Sequence, residues 1–428
     1  MKAPRAGWAV AAGMVLLAVG CGETAAGPGT GGSSGGGDEP AGEWRPVADS
    51  PLTPREAPLA VAVGERILVI GGSDGPPCPP NADCVAPPAP LRDGAAYDPA
   101  TDEWTPIATA PAPVGGGVDT SVVVGDTVYV LTTIFNQEGT TTRTFQSYDA
   151  AADGWAELTP PPGSEWVSLT AVSDRVVAYR GSHEDYTGGS LEPLDPLPAD
   201  LVHDPATDTW SELPVDPLGP SYDRRLVGFG DGAVLLASDL VPNPGLDPPV
   251  VHAATLDLAT GRWTELPDGD LVSGYGFRRV GTMLVSALEE SSDGGETNNW
   301  GRDIPYGGLL DPATGTWSTL PERAHRDPLD GFMIPLGDLS GERTIVSGAW
   351  VLDVPTLTWG RVPELPVDEH LQGQSAAFAD TAEGGVVLLW GGSAWPRDTM
   401  AGGEPAAGGE PVADGELIAD GWIWNVAS

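Results

Sequence analysis

The sequence predicts an all-β fold, a seven-bladed β-propeller, from two repeating features. Tryptophans recur at Trp44, Trp104, Trp155, Trp210, Trp263, Trp317 and Trp359, with gaps of 60, 51, 55, 53, 54 and 42 residues by subtraction. Most of them end the same short phrase, such as YDPATDEW at Trp104 and LDPATGTW at Trp317. Short β-branched runs recur with the same period. Sequence periods near 50 residues are typical of propeller blades.

The β-branched runs predict one buried strand in each repeat. They occupy residues 67–72, 127–133, 175–181, 233–238, 282–287, 343–348 and 386–392. A weaker strand and a tight turn precede them, for example at Gly64-Glu65. The phrase that ends in Trp predicts a hairpin turn, because Asp bonds its own backbone and Pro fixes φ. Each repeat therefore has four strands, a to d in chain order.

The two ends of the chain predict ring closure. Residues 43–48 form a lone outer strand, and residues 421–426 form a strand with no outer partner. The N-terminal strand is therefore expected to complete the last blade, which removes exposed sheet edges. The predicted propeller spans residues 43–428 as one domain.

These motifs resemble the kelch-repeat family, in which strand b ends in a double glycine before an aromatic-Asp-Pro turn and an outer Trp. The first repeat matches well with Gly71, Gly72, Tyr97, Asp98 and Trp104. The last repeat keeps the glycine pair, whereas the second, fourth and fifth lack it. The resemblance implies a kelch-type propeller. Propellers of this type belong to a superfamily that includes copper oxidases related to galactose oxidase. Their cofactor needs a Cys cross-linked to a Tyr, and the three Cys of this chain are the predicted lipid site and the predicted disulfide pair. The superfamily also includes bacterial sugar mutarotases, whose modest requirements this chain could meet.

The first 42 residues predict export and tethering. Residues 1–20 carry Lys2 and Arg5 before an apolar run too short for a membrane span, as in a signal peptide. The run ends in LAVGC, which resembles a bacterial lipobox and predicts acylation of Cys21; an ordinary secretory signal is the alternative. Residues 21–42 are a Gly-rich flexible tether. The predicted location is extracytoplasmic, with the protein lipid-anchored to the bacterial cell membrane.

Cysteine spacing predicts a disulfide, and the net charge excludes some classes of partner. Cys78 and Cys84 in a Pro-rich stretch predict a small disulfide loop, in preference to a metal pair. The net charge of −41 predicts no binding to nucleic acid, and contact with the membrane through the lipid anchor only. The acidity has two alternative explanations, adaptation to high salt or genome composition, and the sequence does not decide between them. We expect a monomer, and the sequence leaves calcium binding open.

No phosphate loop, nucleophile elbow or HExxH motif occurs, and the five His are dispersed. The sequence therefore predicts no metal site and no cofactor. His203 occupies the aromatic position of its turn, which gives it a structural role.

The long connections predict where a ligand binds. The b–c connections at residues 73–94, 134–144, 182–200, 239–251, 289–305 and 393–420 all emerge on one face of a propeller, where loops on a rigid scaffold commonly bind. The candidate ligand-binding residues at the start of the inner strands are Arg55, Arg224, Arg326, Asp330 and Gln374. The candidate acid-base residues are His325, His370 and Glu165.

Three functions follow as alternatives. The first is a non-catalytic module that binds a cell-envelope protein or glycan through this face. The second is a sugar-active enzyme of the mutarotase or epimerase type acting on an acidic sugar. The third is a structural envelope component. The sequence leaves the identity of the ligand open.

Overall fold

The structure is a computed structural model that describes residues 42–79, 91–115, 118–135, 141–163, 167–184, 193–240, 250–269, 271, 276–287, 291–292, 304–305, 307–321, 338–396 and 415–426. These residues belong to one compact unit, Gly36–Ser428. The predicted signal peptide and nearly all of the predicted tether lie outside them. Within the described ranges, no helix is long and apolar enough to cross a membrane.

The described residues form 33 strands. In chain order they are β1 (Trp44–Pro46), β2 (Leu59–Val63), β3 (Arg66–Ile70), β4 (Gly94–Asp98), β5 (Glu103–Pro106), β6 (Val118–Val124), β7 (Thr127–Phe135), β8 (Thr141–Asp149), β9 (Gly154–Leu158), β10 (Ser168–Val172), β11 (Arg175–Tyr179), β12 (Leu201–Asp204), β13 (Thr209–Glu212), β14 (Ser221–Phe229), β15 (Gly232–Asp239), β16 (Val251–Asp257), β17 (Arg262–Glu265), β18 (Arg278–Val280), β19 (Met283–Ser286), β20 (Ser291–Ser292), β21 (Ile304–Pro305), β22 (Gly308–Asp311), β23 (Thr316–Ser318), β24 (Leu339–Ser340), β25 (Thr344–Ser347), β26 (Trp350–Asp353), β27 (Thr358–Arg361), β28 (His370–Gln372), β29 (Ser375–Thr381), β30 (Gly384–Trp390), β31 (Ser393–Trp395), β32 (Glu416–Leu417) and β33 (Gly421–Val426).

Seven four-stranded antiparallel sheets hold most of these strands in the described part of the chain. Their orders are β2-β3-β4-β5, β6-β7-β8-β9, β10-β11-β12-β13, β14-β15-β16-β17, β18-β19-β22-β23, β24-β25-β26-β27 and β29-β30-β33-β1. Their innermost strands contact one another in the cyclic order β2, β6, β10, β14, β18, β24, β29 and back to β2. The predicted all-β propeller is confirmed. The number of blades in the ring stays a prediction.

The core lies between neighbouring sheets. Strand β3 is buried on both faces, since successive side chains of a strand point to opposite sides. Ile67 and Val69 pack in one cluster with Leu388 of the last sheet. Leu68 and Ile70 pack in another cluster with Val128 of the next sheet. This double burial explains why the second strand of each repeat is a continuous apolar run in the sequence.

The last sheet is completed from the N-terminus, as predicted. Strand β1 pairs antiparallel with β33, with Trp44 opposite Trp424. Strand β33 pairs on its other side with β30. The outermost strand of this sheet thus comes from the start of the chain and its other three strands come from the end.

The repeated tryptophans link each sheet to its neighbour through their indole N–H groups. The donor and acceptor pairs, at 2.7 to 2.9 Å, are Trp44 to Pro363, Trp104 to Ala48, Trp155 to Ala108, Trp210 to Thr159, Trp263 to Pro214, Trp317 to Pro267 and Trp359 to Pro321. Every acceptor is a backbone carbonyl that follows the outer strand of the adjacent sheet. The bonds therefore form a closed cycle around the ring.

The residue two positions before each of these tryptophans has a left-handed backbone. These residues are Gly42, Asp102, Asp153, Asp208, Gly261, Gly315 and Leu357, with φ between +47° and +88°. Gly and Asp tolerate this conformation, whereas a bulky residue such as Leu rarely adopts it. The turn thus aims each indole at the neighbouring sheet.

Connection lengths differ sharply between the two faces of the ring. The a–b and c–d turns are short, for example the two residues between β2 and β3. The opposite face, called the long-loop face below, receives the b–c and d–a connections. On that face β28, β31 and β32 form an accessory three-stranded sheet. In the chain, β28 precedes β29 of the last four-stranded sheet, and β31 and β32 lie between its strands β30 and β33.

Candidate functional site

Four polar side chains meet on the long-loop face where the last sheet contacts the first. They are Glu56, Gln372, Gln374 and Ser393, called the closing-seam cluster below. Gln372 and Ser393 are paired across strands β28 and β31 of the accessory sheet. Glu56 comes from the segment before β2, and its backbone pairs with that of Ser73. The cluster is therefore assembled from both ends of the propeller sequence.

Three of these residues form side-chain hydrogen bonds. Ser393 Oγ donates to Glu56 Oε1, and Trp395 Nε1 donates to Ser393 Oγ at 2.9 Å. Gln372 Nε2 donates to the carbonyl oxygen of Cys78 at 3.4 Å, which joins the accessory sheet to the first long connection. The serine hydroxyl thus holds the Glu56 carboxylate in one orientation.

Gln374 has no hydrogen-bond partner within the described residues for either atom of its side-chain amide. Its exposed fraction is 6%. The amide lies against the backbone of Gly392, where a Cβ would come within 2.8 Å of Nε2. Burying an unpaired amide costs about 1–3 kcal/mol, so native structures rarely keep one without a reason.

The Glu56 carboxylate is half-buried. Burial raises its pKa above the ordinary value, and the hydrogen bond from Ser393 partly offsets that increase. Among the described residues, no Arg, Lys or His lies within ion-pair distance of Glu56. Glu56 therefore presents a negative charge without a cationic partner in this part of the chain.

Arg55 precedes Glu56 but faces the protein interior. Its guanidinium binds both oxygens of Asp93, at 2.8 and 3.0 Å, and the carbonyl of Gly71 at 3.0 Å. Its side chain has no exposed area. The hydrogen bond from Arg55 holds the pKa of Asp93 below its ordinary value.

A second polar cluster lies on the same face between the third and fourth sheets. Arg224 bonds Asp200 and Asp216 at 2.8 Å each, and all three side chains are buried. His183, 1% exposed, contacts the carbonyl of Gly219 through Nδ1 at 3.3 Å, and its Nε2 has no partner within the described residues. Burial lowers the pKa of His183 to about 4, and the nearby charge of Arg224 adds to this effect.

Asp223 lies beside this cluster at a break in the pairing of β14 with β15. The register shifts between Tyr222 and Arg225, and Asp223 has φ of +49°. Burial raises the pKa of Asp223 to about 6, and the negative charge of Glu184 raises it further. A strained acid with a perturbed pKa is a recognised sign of a functional position.

Comparison with known proteins identifies the repeat. A model of the Kelch motif matches residues 54–111, which contain the whole first sheet. The chain is 28% identical over 168 residues to the Kelch-like protein terF of Aspergillus terreus (strain NIH 2624 / FGSC A1156), covering 35% of this chain and 33% of that protein. It is 26% identical over 153 residues to the F-box/kelch-repeat protein At1g22040 of Arabidopsis thaliana, covering 33% and 31%. Residues 54–111 thus carry a kelch motif, and the chain is similar to kelch-repeat proteins.

The extent of these matches is partial. The chain aligns with about a third of the length of the curated relatives it matches. The solved structure of YjhT aligns with 81% of this chain and 92% of its own, at 16% identity and a TM-score of 0.42.

The propeller places the candidate ligand-binding residues in different environments. Gln374 lies in the closing-seam cluster. Arg55 and Arg224 do not offer free guanidinium groups to a ligand, because each is buried with carboxylate partners. The guanidinium of Arg55 does bind a carboxylate with two hydrogen bonds, but that carboxylate belongs to Asp93 of the same chain. Arg326 and Asp330 lie outside the described residues.

Of the acid-base candidates, His370 alone lies in the described part of the chain. It is on β28 opposite Trp395, two residues from Gln372, and burial lowers its pKa. Glu165 and His325 lie outside the described residues, as do Cys21 and Cys84. The disulfide of Cys78 with Cys84 therefore stays a prediction. His203 has the structural role predicted for it, with Nε2 3.0 Å from Asp208 Oδ1.

Sequence reasoning missed Glu56, Gln372 and Ser393 as site residues, and also Asp223. Glu56 adjoins Arg55, and Ser393 follows the last glycine pair, so the only signal was proximity to recognised motifs. In the described ranges, no group of three or more His, Cys, Asp or Glu side chains is arranged to hold a metal ion.

Proposed function

We propose that this chain is an extracytoplasmic, lipid-anchored binding protein that captures a cell-envelope protein through its long-loop face. The difference between the two faces carries the proposal. Tight turns cover one face, whereas the other carries long connections, an accessory sheet and the closing-seam cluster. Loops held on a rigid scaffold are where binding residues concentrate.

The surface chemistry supports a polar partner. Among the described residues, the exposed large hydrophobic side chains are Val215 and Leu357, and neither belongs to the closing seam. Interfaces that rely on apolar burial need a contiguous patch of such side chains. The net charge of −41 favours partners with basic surfaces and speeds their encounter.

A capture experiment tests the binding face. The full chain is immobilised and incubated with envelope extract, beside a glycan array. Glu416→Lys reverses an exposed charge on β32 of the long-loop face, and Glu103→Lys reverses one on β5 near the opposite face. We expect partner recovery to fall with Glu416→Lys and to stay unchanged with Glu103→Lys. The reverse pattern would place the binding surface elsewhere, and specific array binding without a protein partner would favour a glycan.

The lipid anchor rests on the lipobox resemblance at Cys21. Cys21→Ala removes the thiol that accepts the lipid, so we expect the variant to take up no fatty-acid probe in cells. The wild-type chain is the control. Equal labelling of both would rule out Cys21 as the acceptor and favour an ordinary secretory signal.

Asp223 favours a second candidate, the sugar-active enzyme. Its pKa of about 6 suits a group that takes and returns a proton near neutral pH. Anomer exchange of an acidic sugar, followed by NMR, tests this candidate. Turnover by the wild type that Asp223→Asn abolishes would support it, and no turnover by the wild type would exclude it. A structural envelope role would remain if neither binding nor turnover were found.

A further inference from the structure

We propose that a cavity on the short-turn face, the face that carries the a–b and c–d turns, binds a small organic cation with a guanidinium group. This face is opposite the long-loop face, so the site is separate from the proposed function.

The cavity lies where the fourth four-stranded sheet meets the fifth. It has a volume of about 430 Å³ and opens to solvent. Phe229 and Val234 of the fourth sheet give it apolar walls, and Pro312, from the turn between β22 and β23, closes it from the fifth sheet. Pockets for small molecules commonly enclose about 300–1,000 Å³, so a ligand of that class fits here.

Two aspartates give the cavity its charge. Asp231 lies in the turn between β14 and β15, and Asp257 ends β16. Asp257 Oδ1 accepts the backbone N–H of Thr260 at 3.0 Å, which orients the carboxylate. Within the described residues neither aspartate forms an ion pair, although Arg262 lies opposite Asp257 on β17. The cavity thus combines apolar walls with negative charge that this part of the chain does not neutralise.

In the third sheet an arginine faces the corresponding aspartate. Asp204 ends β12, just as Asp257 ends β16. Its carboxylate pairs at 3.1 Å with Arg175, the first residue of β11. The first sheet has the same arrangement, with Arg66 and Asp98 3.9 Å apart. Two of the repeats therefore supply their own guanidinium to this aspartate.

The fourth sheet has a glycine in place of that arginine. Gly232 is the first residue of β15 and pairs with Asp257. A Cβ on Gly232 would come within 1.9 Å of the carbonyl oxygen of Leu256, so the backbone excludes a side chain there. The guanidinium is therefore absent from this repeat, and the cavity lined by Gly232 and Asp257 takes its place. A ligand with its own guanidinium and an apolar body would restore the pair and cover the walls.

Equilibrium titration of the full chain with benzylguanidinium tests the proposal. Benzyl alcohol and benzoate keep the ring and replace the cation with a neutral group and with an anion. We expect saturable binding of benzylguanidinium that weakens with added salt, binding of benzyl alcohol weaker by about fivefold or more, and no binding of benzoate. Equal binding of benzylguanidinium and benzyl alcohol, or no saturable binding of benzylguanidinium, would overturn the proposal.

Two variants locate the bound cation. Asp257→Asn removes the charge and keeps the acceptor for the Thr260 N–H, so it should melt like the wild type and bind benzylguanidinium about fivefold more weakly. Ala259→Arg, at an exposed turn residue that lines the cavity, supplies a guanidinium within the chain and should weaken binding similarly. The matched control is Asp149→Asn, because Asp149 ends β8 of the second sheet in the same way and does not line the cavity.

The control variant should bind benzylguanidinium like the wild type. Binding that survives both Asp257→Asn and Ala259→Arg, or that Asp149→Asn weakens equally, would show that the cation binds elsewhere. If Asp257→Asn lowers the melting temperature, Ala259→Arg decides, since it changes an exposed residue.

A capped Gly-Gly-Arg-Gly-Gly peptide separates a small molecule from a protein partner. We expect it to bind more weakly than benzylguanidinium, because it has no aromatic ring to place against the apolar walls. Tighter binding of the peptide would overturn the proposal and assign the cavity to an arginine of a partner protein.

Discussion

The indole Nε1 of Trp44 donates a hydrogen bond of 2.8 Å to the carbonyl oxygen of Pro363, although 319 residues separate them. This bond joins the last and the sixth four-stranded sheets of the described chain. With the six other tryptophan bonds, it completes a cycle in which every sheet is linked to its neighbour. Each repeated Trp therefore links its own sheet to the neighbouring sheet by a hydrogen bond.

Trp44→Phe tests how much the hydrogen bond from Trp44 to Pro363 contributes to stability. The substitution removes the donor and leaves the Pro363 carbonyl unpaired, so we expect a loss of about 1–3 kcal/mol in unfolding free energy. The matched variant Trp263→Phe removes a bond to Pro214 that is exposed to water, and its loss should be smaller. Urea unfolding measures both. An equal loss in the two variants would show that burial of the bond does not matter.

Truncation tests closure and the seven-blade count. Deleting residues 421–428 removes β33, which pairs with β1 on one side and β30 on the other. Deleting residues 22–42 removes the predicted tether. Because the first deletion exposes two strand edges, we expect a much lower melting temperature than for the second. Unchanged melting of the C-terminal truncation would refute seven-blade closure.

Arg224→Ala tests the buried ion pairs between the third and fourth sheets. Removing the guanidinium leaves Asp200 and Asp216 buried without their cation, which costs about 3–5 kcal/mol. Arg55→Ala should cost less, because its partner Asp93 has a half-exposed side chain. Thermal or denaturant unfolding compares the two. Unchanged melting of Arg224→Ala, as expected of a ligand-binding arginine on an exposed rim, would mean that these carboxylates need no cation.

These arginines show what the sequence could predict and what it could not. The strands and the closing pair β1 and β33 follow from local patterns that each repeat carries, and they were predictable. The partners of Arg224 come from two connections, at positions 200 and 216, that no repeat pattern places. Likewise, Glu56 meets Ser393 only because the ring closes, at a separation of 337 residues. The left-handed backbone two positions before each Trp could have been predicted from the sequence. Six of the seven residues are Asp or Gly, and five of those six lie in the repeated phrase that ends in Trp.

Asp223 predicts a specific pH dependence of stability. Its pKa in the folded protein, about 6, is above the ordinary value of 3.8. Its favourable contribution is therefore fully present below pH 3.8 and is lost as the pH rises through about 6. We expect Asp223→Asn to stabilise the protein at pH 7 by about 1–2 kcal/mol, allowing for partial exposure, because Asn keeps the left-handed backbone accessible.

The difference in unfolding free energy between Asp223→Asn and the wild type isolates this group. His183 acts in the opposite direction, since its lowered pKa of about 4 makes stability fall as the pH drops from 6.5. Both proteins contain His183, so its contribution cancels in the difference. The difference should shrink as the pH falls from 7 to 4. A difference that does not vary with pH would show that Asp223 titrates normally.

The most direct test of the central claim, that the long-loop face binds an envelope protein, is photo-crosslinking of the full chain in cells. A photoreactive amino acid replaces Glu416 on the accessory sheet in one variant and Glu103 on β5 in the other; both positions are exposed. We predict a discrete protein adduct from position 416 that is absent from position 103. Adducts from position 103 alone, or none from position 416, would contradict binding through this face.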